Sequence, residues 1–543
     1  MPRTGAKFGA ASDGEGGEVL KVAHCFREVA MALVIRGQVV PMSKADPSAV
    51  FAGSVYLSDD GTVEAVTSGN GSPPSGFASA PVVDVGEALV IPGIVDLHNH
   101  LGYNALPLWV EPAQKKPFLH HNDWTDAPTY KAKISWPAWV LAHAEPEALL
   151  AYIQTRALVG GTTAIQGWPA FNRAPQMVLR DIDDEKAGTA SRTLIYTSAL
   201  TEKPLQLAHT AQQMARGAGF IYHCAEGQVG SIVAREFADA ANAGCLVKTF
   251  VGIHCNAISD ADWKRWPQTD AGAVVWSPFS NLWLYGSTTN IPAARARGVS
   301  VCLGSDWGPS GTKHVLAELK VAKIVAQKQG FDLTDADLVA MVTSNAGDVL
   351  SRCWPKSIGR LVHGAFADVT VLRSHGTGDV WSQILNATEH DVMLVIVDGS
   401  ARYGNADAMK AAGATTATTL TVGGIKRRLA ITDPNNAKKA WAWTDIVARL
   451  DSVRADPAGS LRKAEGRRRA YAGSVLAEDA PLELALDMPN GGALAVAGPP
   501  PDPAEVEIPP LPTLVHDKAF FDDVQGRGFH SGLLDGLADF YRS

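Results

Sequence analysis

The chain has 543 residues and a formal net charge of -8, with 46% hydrophobic and 19% charged residues, ordinary proportions for a globular protein. That charge balance argues against a nucleic-acid binder, and no apolar run approaches the roughly 20 residues needed to cross a bilayer. Six cysteines in so long a chain do not make a disulfide framework.

Residues 1–30 are rich in Gly, Ala and charge and lack a signal-peptide core. They read as a flexible N-terminal segment of a cytoplasmic protein. Over 31–90, short apolar runs separated by turns predict strands at 32–37, 54–57, 62–66 and 81–85. The same patterning returns in 355–430, at 359–362, 367–372 and 392–399. Neither half can bury both faces of a sheet alone, so the two are predicted to pair into one small β-sandwich.

Between them, 91–354 alternates short apolar runs with helix-like stretches, the pattern of buried parallel strands in an α/β protein. The run from Val90 ends in Asp96-Leu97-His98-Asn99-His100, and residues two apart on a strand share a face. His98 and His100 can therefore reach one metal ion. Three further runs end in polar groups: 220–222 before His223 and Glu226, 246–253 before His254, and 299–305 before Asp306. In a (β/α)8 TIM-type barrel the C-terminal strand ends share one mouth, which would bring these groups together. Seven strands are marked by such runs, the third at 192–197. The fourth should follow it, yet 204–217 reads as helix. The segment 101–139 should overhang the mouth.

After the second β region, 431–543 is an extension. It holds a predicted helix over 437–455 containing Trp441 and Trp443, a solvated helix face at 467–469, and a stiff proline-rich linker from 499 to 512. Its apolar last thirty residues should dock on this chain or on a second subunit.

Taken in order, Pro92-Gly93-x-x-Asp96-x-His98-x-His100, His223-x-Ala225-Glu226, His254-Cys255, Ser277-Pro278-x-Ser280-Asn281 and Gly304-Ser305-Asp306 resemble the motifs of the amidohydrolase superfamily. Within it they are most similar to the branch of triazine hydrolases and aminohydrolases that includes guanine deaminase. The resemblance runs over roughly residues 31 to 405. It implies that His98, His100, His223 and Asp306 ligate one divalent metal (Zn or Fe), that Glu226 shuttles protons, and that His254 touches the activated water or the substrate. Lys203 is the only lysine between the third strand and His223, which argues against the bridged pair of metals that some relatives use.

The chemistry is consistent with that set. Three imidazoles and a carboxylate leave a position for water, whose pKa a divalent metal lowers from about 15.7 towards about 7. Asp306 could instead hydrogen-bond that water. The plainer alternatives are a backbone-satisfied core histidine for His254, a helix N-terminal carboxylate for Glu226 and a helix N-cap for Asp306. Trp109, Trp124, Asn281 and Trp307 are the candidate substrate contacts, with Trp136, Trp139, Trp168, Trp276, Trp283 and Tyr285 on or near the same rim. His120 and His121 could form a second metal site. Cys224 and Cys255 should face away from the mouth.

The expected function is metal-dependent hydrolysis of a non-peptide C–N bond in a small molecule, either deamination of a heterocycle or opening of a cyclic amide, by a homo-oligomer. Hydrolysis of a linear amide, an N-acyl amino acid or a carbon–halogen bond is the alternative chemistry. A scaffold that has lost catalysis is the non-enzymatic one, though it would have no use for Glu226.

Overall fold

The computed structural model describes residues 31–69, 71–173, 175–183, 193–196, 204–354, 356–434, 436–471, 480–486, 502–516, 518–527 and 529–541. Residues 1–30 and the start of the proline-rich linker, at 499–501, lie outside them.

The two flanking β regions join in one nine-stranded sheet. Its hinge is the long strand Val82–Pro92, which pairs in parallel with Leu33–Val39 on one side and antiparallel with Val369–Leu372 on the other. The expected sandwich of two sheets is thus a single hydrogen-bonded sheet. The first and last β segments share a strand edge. Its inner side chains, among them Ile35, Val55, Val90, Val369 and Ile396, form a buried cluster drawn from both halves. Gly93 then turns the chain toward the functional unit. A Cβ there would lie 2.1 Å from the Thr163 hydroxyl, so only glycine permits the approach.

Among the described residues, parallel strands form a three-stranded sheet (Ile94–Asp96, Thr162–Ile165, Arg180–Asp181) and a five-stranded sheet (Thr193–Tyr196, Gly219–Cys224, Phe250–His254, Ala273–Trp276, Ser300–Leu303). Strands as short as Thr162–Ile165 and Ala273–Trp276 are buried along their whole length, as β-branched and apolar residues covered on both faces should be. The last strand returns to the first: Asn99 and Asp306 form a parallel bridge, and Asp306 N donates to His98 O at 3.0 Å. The unmarked strand is Arg180–Asp181, which precedes Thr193–Tyr196. The run expected to be third is therefore fourth, and the helix Pro204–Met214 leads directly to Gly219–Cys224. Arg192, Thr197 and Lys203 lie outside the described residues.

The extension docks on its own chain. The helices Trp443–Ala455 and Pro457–Tyr471 lie against Pro146–Val159 and Trp136–Ala144. The expected helix over 437–455 begins only at Trp443, because Asn436–Ala440 pairs as a strand with Thr432–Asp433. Arg467 and Arg468 are not simply solvated: they donate to the carbonyls of Ala144 and His143, satisfying the end of a neighbouring helix. Further on, the Phe520 ring stacks on Phe279 at 5.6 Å, and the Arg527 guanidinium lies 4.4 Å from the Trp283 ring centroid. No helix among the described residues is long and apolar enough to cross a membrane.

Candidate functional site

Four strand ends meet. His98 and His100 follow Ile94–Asp96, His223 lies in Gly219–Cys224, His254 ends Phe250–His254, and Asp306 follows Ser300–Leu303. All five side chains are buried. Asp96 fixes the first loop, accepting from Ser305 N and Oγ, His98 N and Asn99 Nδ2, and burial pushes its carboxyl up to about 6. Three of the turns that aim these residues are in the left-handed region, at Ala225 (φ 53°), His254 (φ 64°) and Asp306 (φ 60°). Each costs a non-glycine residue about 1–3 kcal/mol, a strain found mostly where function needs it.

His98 Nε2 lies 3.1 Å from Asp306 Oδ1, His100 Nε2 3.8 Å from the same oxygen, and His100 Nε2 3.3 Å from His223 Nε2. Two overlapping trios, His98/His100/Asp306 and His98/His223/His254, each keep their ligand atoms within 4.8 Å of one another. A tetrahedral metal with bonds of about 2.05 Å sets its ligand atoms about 3.3 Å apart, so the cluster fits one ion. Burial, with the neighbouring imidazoles, holds His223 well below its ordinary pKa, in the neutral form that ligates. Burial alone would raise Asp306, but the imidazoles around it, His98 foremost, hold its carboxyl well below the usual range when they carry charge.

Hydrogen bonds decide which nitrogens face the cluster. Gln166 Oε1 lies 3.2 Å from His98 Nδ1, which must therefore carry the proton and leave Nε2 its lone pair. His254 is turned the other way. Trp276 Nε1 donates to Thr288 Oγ1, the Thr288 proton goes to Asn281 Oδ1, and the Asn281 amide nitrogen faces His254 Nδ1 at 3.1 Å. Nδ1 thus accepts, and the proton sits on Nε2, which points between Glu226 Oε1 (3.8 Å) and Asp306 Oδ2 (4.0 Å). Burial lowers the His254 pKa, keeping this neutral donor.

Among the candidate substrate contacts, Asn281 reaches His254. Trp124 stacks on Trp307 at 5.1 Å, with Trp109 6.2 Å from Trp307, forming an aromatic cluster. Trp307 Nε1 is buried with no hydrogen-bond partner among the described residues. Trp168, Trp276 and Trp283 spend their indole protons on Ile165 O, Thr288 and Trp109 O, while Trp136 and Trp139 pack edge-to-face within their own helix. Cys224 and Cys255 are buried in packing. His121 pairs with Glu236 at 2.9 Å and His120 lies 3.6 Å from Asp123, and among the described residues neither has a metal-ligand set around it. Gln166, Glu236 and the contact of Tyr285 with Glu226 were not marked by the sequence: a glutamine after a strand, an acid on an amphipathic helix and a tyrosine in an apolar one look ordinary.

No family model matches the chain. It is 34% identical over 164 residues to the 5-methylthioadenosine/S-adenosylhomocysteine deaminase of Symbiobacterium thermophilum, covering 28% of this chain and 37% of that protein. It is 29% identical over 134 residues to the guanine deaminase of Escherichia coli, covering 25% and 30%. The chain thus spans about a third of each of these relatives. An adenosine deaminase from Xanthomonas campestris with bound zinc has TM-score 0.54 at 18% identity, over 80% of this chain and 99% of that one. Triazine hydrolase from Arthobacter aurescens has TM-score 0.53 at 15% identity, over 71% and 99%. At such identities the structural likeness speaks for the fold.

Proposed function

We infer that this chain, which belongs to the amidohydrolase superfamily, is a metal-dependent hydrolase that removes an amine from a small heterocycle. One observation carries the reading. The ring nitrogens of His98, His100, His223 and His254 gather with the Asp306 carboxylate at buried strand ends, and Glu226 stands beside them. We read the three- and five-stranded sheets as one eight-stranded barrel over 91–354, flanked by the β unit of 31–90 and 355–430 and followed by the extension 431–543. The setting we propose is a cytoplasmic homo-oligomer.

His98, His100, His223 and Asp306 would hold one divalent cation, with zinc the fitting choice for three imidazoles and a carboxylate. Such a cation supplies Lewis-acid activation of water near neutral pH. Glu226 takes a proton on its carboxylate and returns it to the departing nitrogen. His254 donates from Nε2 to the ring nitrogen or oxygen that gains charge under attack. Asn281 and Gln166 keep the two imidazoles in their tautomers. The unpartnered Trp307 N–H offers a planar ring a donor. The deaminase names of the sequence relatives support the amine as leaving group.

The test is ammonia release and mass change across a panel of guanine, 5-methylthioadenosine, S-adenosylhomocysteine, a chloro-triazine, cyclic amides and N-acyl amino acids, with metal analysis of the same protein. Release from an aminated heterocycle by protein holding about one metal per chain is expected. Turnover of only the acyl amino acids or the chloro-triazine would replace deamination by the alternative chemistry.

A further inference from the structure

Glu226 is held from outside its own turn by one short piece of the overhanging segment. The helix His121–Thr125 supplies two of the holds. Trp124 Nε1 donates to the Tyr285 hydroxyl at 2.8 Å, and that hydroxyl lies 2.6 Å from Glu226 Oε1. An indole N–H can only donate, so the phenolic oxygen accepts from Trp124 and its own proton is aimed at the carboxylate. Burial and the Glu226 charge hold the phenol well above its ordinary pKa, so it remains a donor. His121 pairs with Glu236, whose other oxygen accepts from Ala225 N at 2.8 Å, next to Glu226 in the chain. The backbones are also joined: His120 bridges Gly227, and His121 N donates to Glu226 O at 3.3 Å.

We propose that Tyr285, fixed by Trp124 of the overhanging segment, is the positioning residue that sets the Glu226 carboxyl for proton transfer. The proposal rests on the acid/base reading of Glu226 given above. Oε1 accepts from Tyr285 and lies 3.8 Å from His254 Nε2, so the phenol holds the carboxylate oxygen that is beside the cluster. The overhanging segment thereby does two jobs, covering the strand ends and aiming the shuttle. A misplacement of about 1 Å in such a group costs on the order of a hundredfold in rate.

The experiment compares metal-loaded wild type, Tyr285→Phe, Trp124→Phe, Glu226→Gln and Glu226→Gln/Tyr285→Phe, by crystal structure and by turnover of the panel amine that releases ammonia. Tyr285→Phe should keep its metal and a KM within about threefold, lose about tenfold or more in kcat, and show the Glu226 carboxyl displaced. Trp124→Phe should lose less in the same direction. In the Glu226→Gln background the Tyr285 change should cost nothing further. An undisplaced Glu226 in Tyr285→Phe, or a wild-type kcat there while Glu226→Gln is inactive, overturns this proposal alone. Full activity in Glu226→Gln overturns the reading beneath it.

Discussion

Glu236 holds the His121 ring at 2.9 Å with one carboxylate oxygen and the Ala225 backbone N–H at 2.8 Å with the other. Both partners are buried. Burial pushes the Glu236 carboxyl up, opposed mainly by His121, and the same pairing raises His121 against its own desolvation. Breaking one side of such a pair strands the other. Glu236→Ala should cost about 3–5 kcal/mol in chemical unfolding, far more than a surface ion pair. Replacing both residues together should cost less than the sum of the single changes, and additivity would remove the pair from the account.

Loss of one imidazole should show in metal content before it shows in fold. His98→Asn keeps a polar side chain in a buried place but removes a ligand nitrogen. Metal analysis should fall from about one equivalent to a small fraction. Chelation of the wild type should lower its melting temperature, because a ligand present at a hundred times its Kd stabilises the native state by about 2.7 kcal/mol. A chelator that leaves the melting temperature of a metal-containing preparation unchanged would contradict this.

Glu318, which is not among the proposed ligands, offers a pH test. It is fully buried, accepts from Phe279 N at 2.8 Å and Thr312 Oγ1 at 2.6 Å, and burial pushes its carboxyl up to about 8. The unfolded chain releases this proton at an ordinary carboxyl pKa, so from about pH 4.5 to 8 the native state binds more protons than the unfolded one. Stability contributed by this group therefore falls as pH rises through that window, by up to about 1.4 kcal/mol per pH unit. Glu318→Gln, which resembles the protonated acid, should remove the slope. Parallel stability–pH curves for variant and wild type would refute it.

The extension should matter to stability. Phe520 is buried against Phe279, beside Ser280 and Asn281, so Phe520→Ala should cost about 3 kcal/mol. Arg527 donates to Trp109 O and to Gln114, tying the overhanging segment down. Arg527→Ala should speed proteolytic cutting within 101–135 while leaving metal content intact. An unchanged cutting rate would mean that the segment is held without it.

The ends of strands were the most legible part of this chain. His98, His100, His223, His254 and Asp306 each close an apolar run, so both the run and its polar stop are visible locally. Arg180–Asp181 was not legible, because two residues, both charged, make no apolar run and the strand exists only through its pairing with Thr162–Ile165. The single sheet was missed for a related reason: alternation marks strands but not which edge meets which, and Val82–Pro92 is the edge that both halves share. The tautomer of His254 lies further still from the sequence, since it depends on Trp276, Thr288 and Asn281 meeting in space.

That shared edge has a cost during synthesis. Val82–Pro92 leaves the ribosome well before Val369–Leu372 exists to cover its open side, and every parallel strand of the functional unit is made in between. Until then an apolar strand with unpaired amides is on offer to any neighbouring chain. Slow translation or a missing chaperone should therefore harm the yield of this protein well before it harms any molecule that has finished folding.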